Sequence, residues 1–270
     1  NSFNAEVSTA SSDDVNEAIV AADKAWRDPN WRDTLPSEKA AILFKAANIL
    51  VDKKQFLAEL QTRDNGKPIS ETLALVSSAI ATTRYIASSL ETLDNELTNQ
   101  RVKSLMTFTT YEPLGVIAAI TPWNSPIASE VQKIVPALAG GNAVILKPAE
   151  ATSLIALELA KVFEEAGLPA GLFSVLTGKG SVVGEQIVRH PLVQKISFTG
   201  STGTGRHLAH VAAEKLISTS LELGGKSPTI VFEDANIEIA INGVIYGIFS
   251  SSGQACIAGS RLFIHESIYE

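Results

Sequence analysis

From residue 113 onward, short apolar runs rich in β-branched side chains alternate with stretches of helical periodicity, and this alternation constrains the fold more than any other feature. The runs cover residues 115–120, 143–147, 172–176 and 193–198. Helical stretches at 128–139, 154–166 and 181–189 separate them, and one at 205–216 follows the last. Strands alternating with helices of this length build βαβ units and a parallel sheet. In open sheets of that kind ligands sit beyond the carboxyl ends of the strands. The residues just after each run are therefore where chemistry is expected.

The chain before residue 113 reads differently. Asp13 or Asp14 is expected to cap a first helix, with Glu17 completing a capping box, and Val15, Ala18, Ile19, Ala22 and Trp26 recur at helical spacing until Pro29. One longer helix is predicted from Pro36 to the stop at Asn65-Gly66 and Pro68, and a third over 69–93. Residues 100–112 alternate polar with β-branched, aromatic or other apolar side chains and predict one or two strands.

Composition narrows the partners. The 22 basic residues are scattered among 29 acidic ones for a net charge of −7, which predicts no nucleic-acid partner. No apolar run approaches the ~18 residues of a membrane span, and residues 1–14 lack the basic and apolar regions of a signal peptide. A single cysteine among 270 residues suits a reducing compartment, so a cytoplasmic location is expected.

That cysteine, Cys256, stands among Gly253, Ala255, Ala258 and Gly259, small neighbours that let a substrate and backbone N–H groups approach the sulfur. It is a candidate nucleophile, ligand or redox handle, or else an inert buried thiol. After the first run, Thr121-Pro122-Trp123-Asn124-Ser125-Pro126 holds an amide donor in a fixed turn. After the second, Lys147-Pro148-Ala149-Glu150 offers a pair suited to sugar hydroxyls. The fourth runs into Phe198-Thr199-Gly200-Ser201-Thr202-Gly203-Thr204-Gly205, a turn before a helix N-terminus that suits a phosphate but is not the Gly-x-Gly-x-x-Gly fingerprint. In Leu221-Glu222-Leu223-Gly224-Gly225-Lys226-Ser227-Pro228, a Glu between leucines is expected to be partly desolvated, which would lift it toward use as a general base. His190, His207, His210 and His265 have no accompanying ligand cluster, so no metal site is expected.

Taken together, Pro122-Trp123-Asn124, Lys147-Pro148-Ala149-Glu150, Phe198-Thr199-Gly200-Ser201-Thr202, Leu221-Glu222-Leu223-Gly224-Gly225-Lys226-Ser227-Pro228 and Gly253-Gln254-Ala255-Cys256 resemble the aldehyde dehydrogenase superfamily in order and spacing. That family's phosphate turn, Gly-x-Thr-x-x-Gly, is met by Gly200, Thr202 and Gly205. The resemblance implies Cys256 as the nucleophile, Asn124 as the side-chain donor of an oxyanion hole shared with the Cys256 N–H, and Glu222 as the base that hydrolyses a thioester. It implies NAD as cofactor, with Lys147 and Glu150 on the adenosine ribose, Ser201 at the pyrophosphate, and Gly180, Gly184 and Phe198 along the cleft. The implied contacts also take in Thr121, Pro122, Trp123, Pro148, Ala149, Thr199, Gly200, Thr204, Leu223 and Gly224. Glu150 favours NAD, since a carboxylate accepts from a free 2′-OH and repels a 2′-phosphate, while Lys147 leaves NADP open.

The fold expected from the resemblance is α/β: a Rossmann-like parallel sheet with flanking helices, plus the start of a second α/β catalytic domain. Residues 1–99 would be the helical part of the cofactor domain, 100–112 an oligomerisation strand, 113–224 the NAD-binding domain and 225–270 the beginning of the catalytic domain. The family's catalytic domain continues beyond the nucleophile, and residues 1–7 look like the middle of its first strands, so an incomplete portion of a longer homodimeric or homotetrameric enzyme is expected. The identity of the small aldehyde stays open, with Phe249 and Ile257 suggesting an apolar wall. A noncatalytic relative and an unrelated nucleotide-binding α/β domain with an idle thiol are the competing readings.

Overall fold

A computed structural model describes residues 5–270. Helices α1 (Ser12–Arg27), α2 (Pro29–Arg32), α3 (Pro36–Asp52), α4 (Lys54–Asn65) and α5 (Ile69–Leu90) come first. The cap of α1 is Ser11, whose Oγ accepts from Asp14 N while the Asp14 carboxylate accepts from Ser11 N, so the box lies one turn earlier than expected. The single helix predicted to run to Asn65 is two, broken at Lys53, whose ψ of 5° departs from helical geometry. Gly66 ends α4 in the left-handed region at φ 76°.

The sheet is formed by β1 (Val116–Ile120), β2 (Ala143–Lys147), β3 (Phe173–Val175), β4 (Val193–Gly200) and β5 (Ser218–Leu223). All neighbours are parallel, in the order β3-β2-β1-β4-β5. Strand order therefore reverses between β1 and β4, which opens a crevice at their carboxyl ends. Helices α6 (Pro126–Ala139), α7 (Leu154–Ala166), α8 (Glu185–Arg189) and α9 (Thr202–Lys215) make the crossovers. The predicted runs match the first four strands closely. The fifth, Ser-Thr-Ser-Leu-Glu-Leu, is an edge strand whose side chains alternate between exposed and half-buried, too polar to read as a buried strand.

β2 is buried along its length, Val116 and Ala118 of β1 lie beside it, and Ile196 of β4 is buried on the far side of β1. Asn142 fixes the entry to β1: its Oδ1 accepts from Leu114 N (2.7 Å) and Gly115 N (3.0 Å), and its Nδ2 donates to Ala137 O.

Residues 100–112 do not form the predicted strands. Leu97 and Phe108 make one isolated antiparallel bridge, and Met106 and Tyr111 stand exposed. Around that bridge Thr98 N donates to Thr107 O and Thr109 N to Glu96 O, so the alternating residues pair over one short stretch only. Residues 5–7 likewise form no strand, and the remainder of that expectation, residues 1–4, lies outside the described residues. After β5 come β6 (Pro228–Val231), α10 (Ile237–Phe249), a 3₁₀ turn (Ser250–Gly253) and β7 (Arg261–Ile264), with β6 and β7 paired in parallel as a separate two-stranded sheet.

Candidate active site

The site is assembled where β1, β4 and β5 end. The turn after β1 presents Thr121 to Ser125, the turn after β4 presents Gly200 and Ser201, and the segment from Glu222 to Lys226 leaves the end of β5. Together with Gln254, Ala255 and Cys256 they enclose a cleft of about 1330 Å³. Glycine is required in the phosphate-type turn by close approach: a Cβ on Gly205 would stand 2.5 Å from Leu223 Cδ2, and one on Gly200 would strike the Phe198 ring.

Most predicted residues meet in this cleft. Thr121, Pro122, Trp123, Asn124, Ala149, Phe198, Thr199, Gly200, Ser201, Thr204, Glu222, Leu223, Gly224 and Cys256 all line it. Lys147, Gly180 and Gly184 line a second cleft of about 520 Å³, which reaches the same turn through Thr204. Pro148 is buried and lines neither of these two clefts. Glu150 stands apart from both, its Oε1 accepting from Gly180 N at 2.9 Å.

Cys256 is exposed, which removes the reading of an inert buried thiol. Asn124 Nδ2 donates to Gln254 O at 2.6 Å, so the amide already leans on the segment bearing the thiol and keeps its second N–H for another acceptor. Glu222 is in register with Thr199 and projects exposed from the edge strand. The expected desolvation between Leu221 and Leu223 is therefore absent. Alternation sends the two leucines to the inner face and the carboxylate to the cleft side.

Two charged residues escaped the sequence reading. Lys133, on α6, lines the large cleft, donates from Nζ to Ser197 Oγ (3.2 Å), and has its pKa brought down to about 8 by burial, with the charge of Glu222 opposing that fall. A lysine inside the apolar 128–139 helix was the available signal. Glu130, on the same helix, is fully buried, and burial together with the charge of Asp64 pushes its carboxyl well above the ordinary range.

The cofactor side can also be tested on its donors. Ser201 caps α9, a fourteen-residue helix, by accepting from Thr204 N, so the positive end of the helix faces the cleft. Thr121 Oγ1 is buried without a hydrogen-bond partner among the described residues, and it lines the cleft. Lys147 is 4% exposed, its Nζ donates to Pro148 O (2.8 Å), and burial lowers its pKa against the pull of Glu150. A phosphate-turn helix, an unpartnered hydroxyl and a buried lysine beside the second cleft fit a dinucleotide.

Among the histidines, His207 Nε2 lies 2.7 Å from Glu185 and His265 Nε2 lies 3.5 Å from Glu233, both partly exposed. Among the described residues no helix is long and apolar enough to cross a membrane.

Comparison with known proteins bears on this arrangement. The family model described as "Aldehyde dehydrogenase family" matches residues 1–270. A Bacillus subtilis (strain 168) protein assigned to the aldehyde dehydrogenases, DhaS, is 41% identical over 261 residues, covering 95% of this chain and 52% of that protein. The NAD+ complex of a Bacillus cereus aldehyde dehydrogenase superposes with a TM-score of 0.94 at 38% identity, over 97% of this chain and 53% of its own. An E. coli NADP-dependent enzyme gives the same TM-score and identity, over 97% of this chain and 54% of its own. The chain spans about half the length of the relatives it matches.

Proposed function

The chain belongs to the aldehyde dehydrogenase family, and from that premise we propose that the protein oxidises a small aldehyde to its carboxylic acid with NAD as hydride acceptor. The observation that carries this reading is the convergence of Cys256, Asn124 and Glu222 on the cleft that also holds the Gly200–Ser201 turn.

Cys256 Sγ, as thiolate, bonds to the aldehyde carbon, and the carbonyl π pair moves to oxygen. The resulting oxyanion is met by the Asn124 Nδ2 group and the Cys256 backbone N–H, donors each commonly worth about 3 kcal/mol to such a transition state. NAD, held along this cleft, would supply the hydride acceptor; with the hydride removed and the C=O bond re-formed, Cys256 would keep the acyl group as a thioester. Glu222 then takes a proton from water, the hydroxide adds to the thioester carbon, and the C–S bond breaks to release the acid and restore the thiolate. An exposed carboxylate on the cleft side has access to that water. Lys133 lies close enough for the charge of Glu222 to favour its ammonium form.

Lys147 and Glu150 hold the adenosine ribose, Ser201 and the α9 N-terminus hold the pyrophosphate, and Glu150 selects NAD over NADP. The helical part, residues 1–99, and the NAD-binding residues 113–224 make up the cofactor domain, 225–270 begin the catalytic domain, and residues 100–112, with Leu105, Met106, Phe108 and Tyr111 exposed, form a homo-oligomer contact in a cytoplasmic enzyme.

The test is NADH formation from NAD and a panel of aldehydes, with Cys256→Ala as control. Thiol-dependent NADH supports the reading and identifies the aldehyde class. NAD binding without NADH from any aldehyde points instead to a cofactor-domain portion or a noncatalytic relative, and a longer chain with the same result refutes the reading.

A further inference from the structure

Three successive residues before the thiol, Ser251, Ser252 and Gly253, take φ of 60°, 54° and 69°. Only the last is a glycine, so the turn holds two L-residues in a conformation they rarely adopt and persists only if its surroundings over-determine it. The surroundings come from a distant part of the sequence. Lys67, 1% exposed, donates from Nζ to Ser251 Oγ, and Glu71 Oε1 accepts from Ser251 N at 3.0 Å. Lys67 directly follows the left-handed Gly66 that ends α4, and Glu71 lies in the first turn of α5. A lysine is almost never this buried without a partner that requires it, and burial lowers its pKa while the Glu71 charge opposes the fall. From Ser251 the contact chain continues: Gln254 N donates to Ser251 O at 3.0 Å, and Gln254 O accepts from Asn124.

We infer that Lys67 and Glu71 are positioning residues that grip Ser251, hold the left-handed turn Ser251–Gly253, and thereby set where the Cys256 thiol stands in the cleft. The inference takes from the proposed function only that Cys256 is the reacting group. Neither residue touches the substrate, and their action passes through the backbone between Ser251 and Cys256.

Because Cys256 is the only cysteine, its alkylation by the uncharged reagent iodoacetamide reports on this position alone. Lys67→Met and Glu71→Ala remove charges of opposite sign. If the pair positions the loop, both variants slow alkylation, by roughly threefold or more, while circular dichroism stays that of the parent. Ser252→Gly, which accepts the left-handed conformation freely, then restores most of the lost rate when combined with either variant. Parental rates in folded variants overturn the inference. So do changes in opposite directions, which mark a charge acting on the thiolate, or a loss that Ser252→Gly leaves untouched. Should Lys67→Met fail to fold, Glu71→Ala with and without Ser252→Gly decides alone. No aldehyde or NAD enters the measurement, so failed turnover would refute the proposed function without bearing on the grip.

Discussion

The five-stranded sheet and the segment carrying the thiol treat similar side chains in opposite ways. In β2, Val144, Ile145 and Leu146 are wholly buried. In β6, α10 and β7 no residue is fully buried, although α10 reads Ile-Glu-Ile-Ala-Ile-Asn-Gly-Val-Ile-Tyr-Gly-Ile-Phe, and Ile239, Ile241 and Ile245 stand more than half exposed. Apolar sequence alone does not make a core; neighbours on both faces do. One wall of the cleft, Thr121 to Ser125 with Gly200 and Ser201, is therefore set on a closed scaffold. The other, Gln254 to Cys256, follows α10, which buries none of its residues within these 270 residues, so in this portion by itself local opening there is expected to cost much less.

The largest expected difference is in stability. Ile145→Ala removes a fully buried side chain between β1 and β3 and should cost about 2–5 kcal/mol in denaturant unfolding. Ile241→Ala, at a residue 53% exposed, should cost less than about 1 kcal/mol. Equal losses would break the comparison, since they would give α10 the burial of a core element.

Amide exchange sharpens the same contrast without mutation. The β1 and β2 amides are hydrogen-bonded within the buried sheet and should exchange only through global opening, whereas α10 amides should exchange faster through local opening. Matching protection in α10 and β2 would show that the thiol-bearing segment is as firmly held as the sheet.

The contrast also explains what the sequence disclosed. Parallel strands buried on both faces leave continuous apolar runs, so β1 and β2 were legible, while the partly buried β3 and β4 were marked by β-branched and aromatic residues between helical stretches. β5, β6 and β7 alternate or are exposed, and their short patterns carry no comparable signal. The motif residues of the cleft were legible because each stands at a strand end or in a Gly-rich turn. Lys133 was not, because the turn of α6 that faces β4 depends on how that helix packs. The placement of Lys67 was equally hidden: Gly66-Lys67-Pro68 reads locally as a helix stop, and its partner lies 184 residues on. The exposure of Glu222 was misjudged because two flanking leucines say nothing about the face between them in an edge strand.

A third prediction concerns the closed side's own exception. Glu130 is fully buried with both carboxyl oxygens unpartnered among the described residues. Its folded pKa is raised by burial first and by Asp64 second, so the folded state holds the proton more tightly than the unfolded chain. The stability this confers is complete below the ordinary glutamate range and is lost as pH rises toward the folded value. Glu130→Gln, which is neutral throughout, should therefore gain in thermal midpoint relative to the parent as pH rises from acidic to neutral, with the gap smallest in acid. A gap independent of pH would mean that Glu130 does not carry its proton into the fold.

The smallest effect expected separates the two walls by what they read. Glu150, outside the cleft lining, is anchored on the closed side by the Gly180 N–H, while Phe249 and Ile257, on the open side, are exposed and likewise stand outside the lining. Glu150→Ser removes the carboxylate that would repel a 2′-phosphate and keeps a short polar side chain. Discrimination between NAD and NADP should fall by about tenfold, equivalent to 1.4 kcal/mol, while the order of preferred aldehydes stays unchanged. Phe249→Ala should do the reverse, altering the aldehyde order and leaving the cofactor ratio as it was. Paired kcat/KM values for both cofactors and several aldehydes measure this. If Glu150→Ser shifts the aldehyde order as much as the cofactor ratio, the walls do not divide recognition, and the closed scaffold and the open segment act as one unit in the cleft.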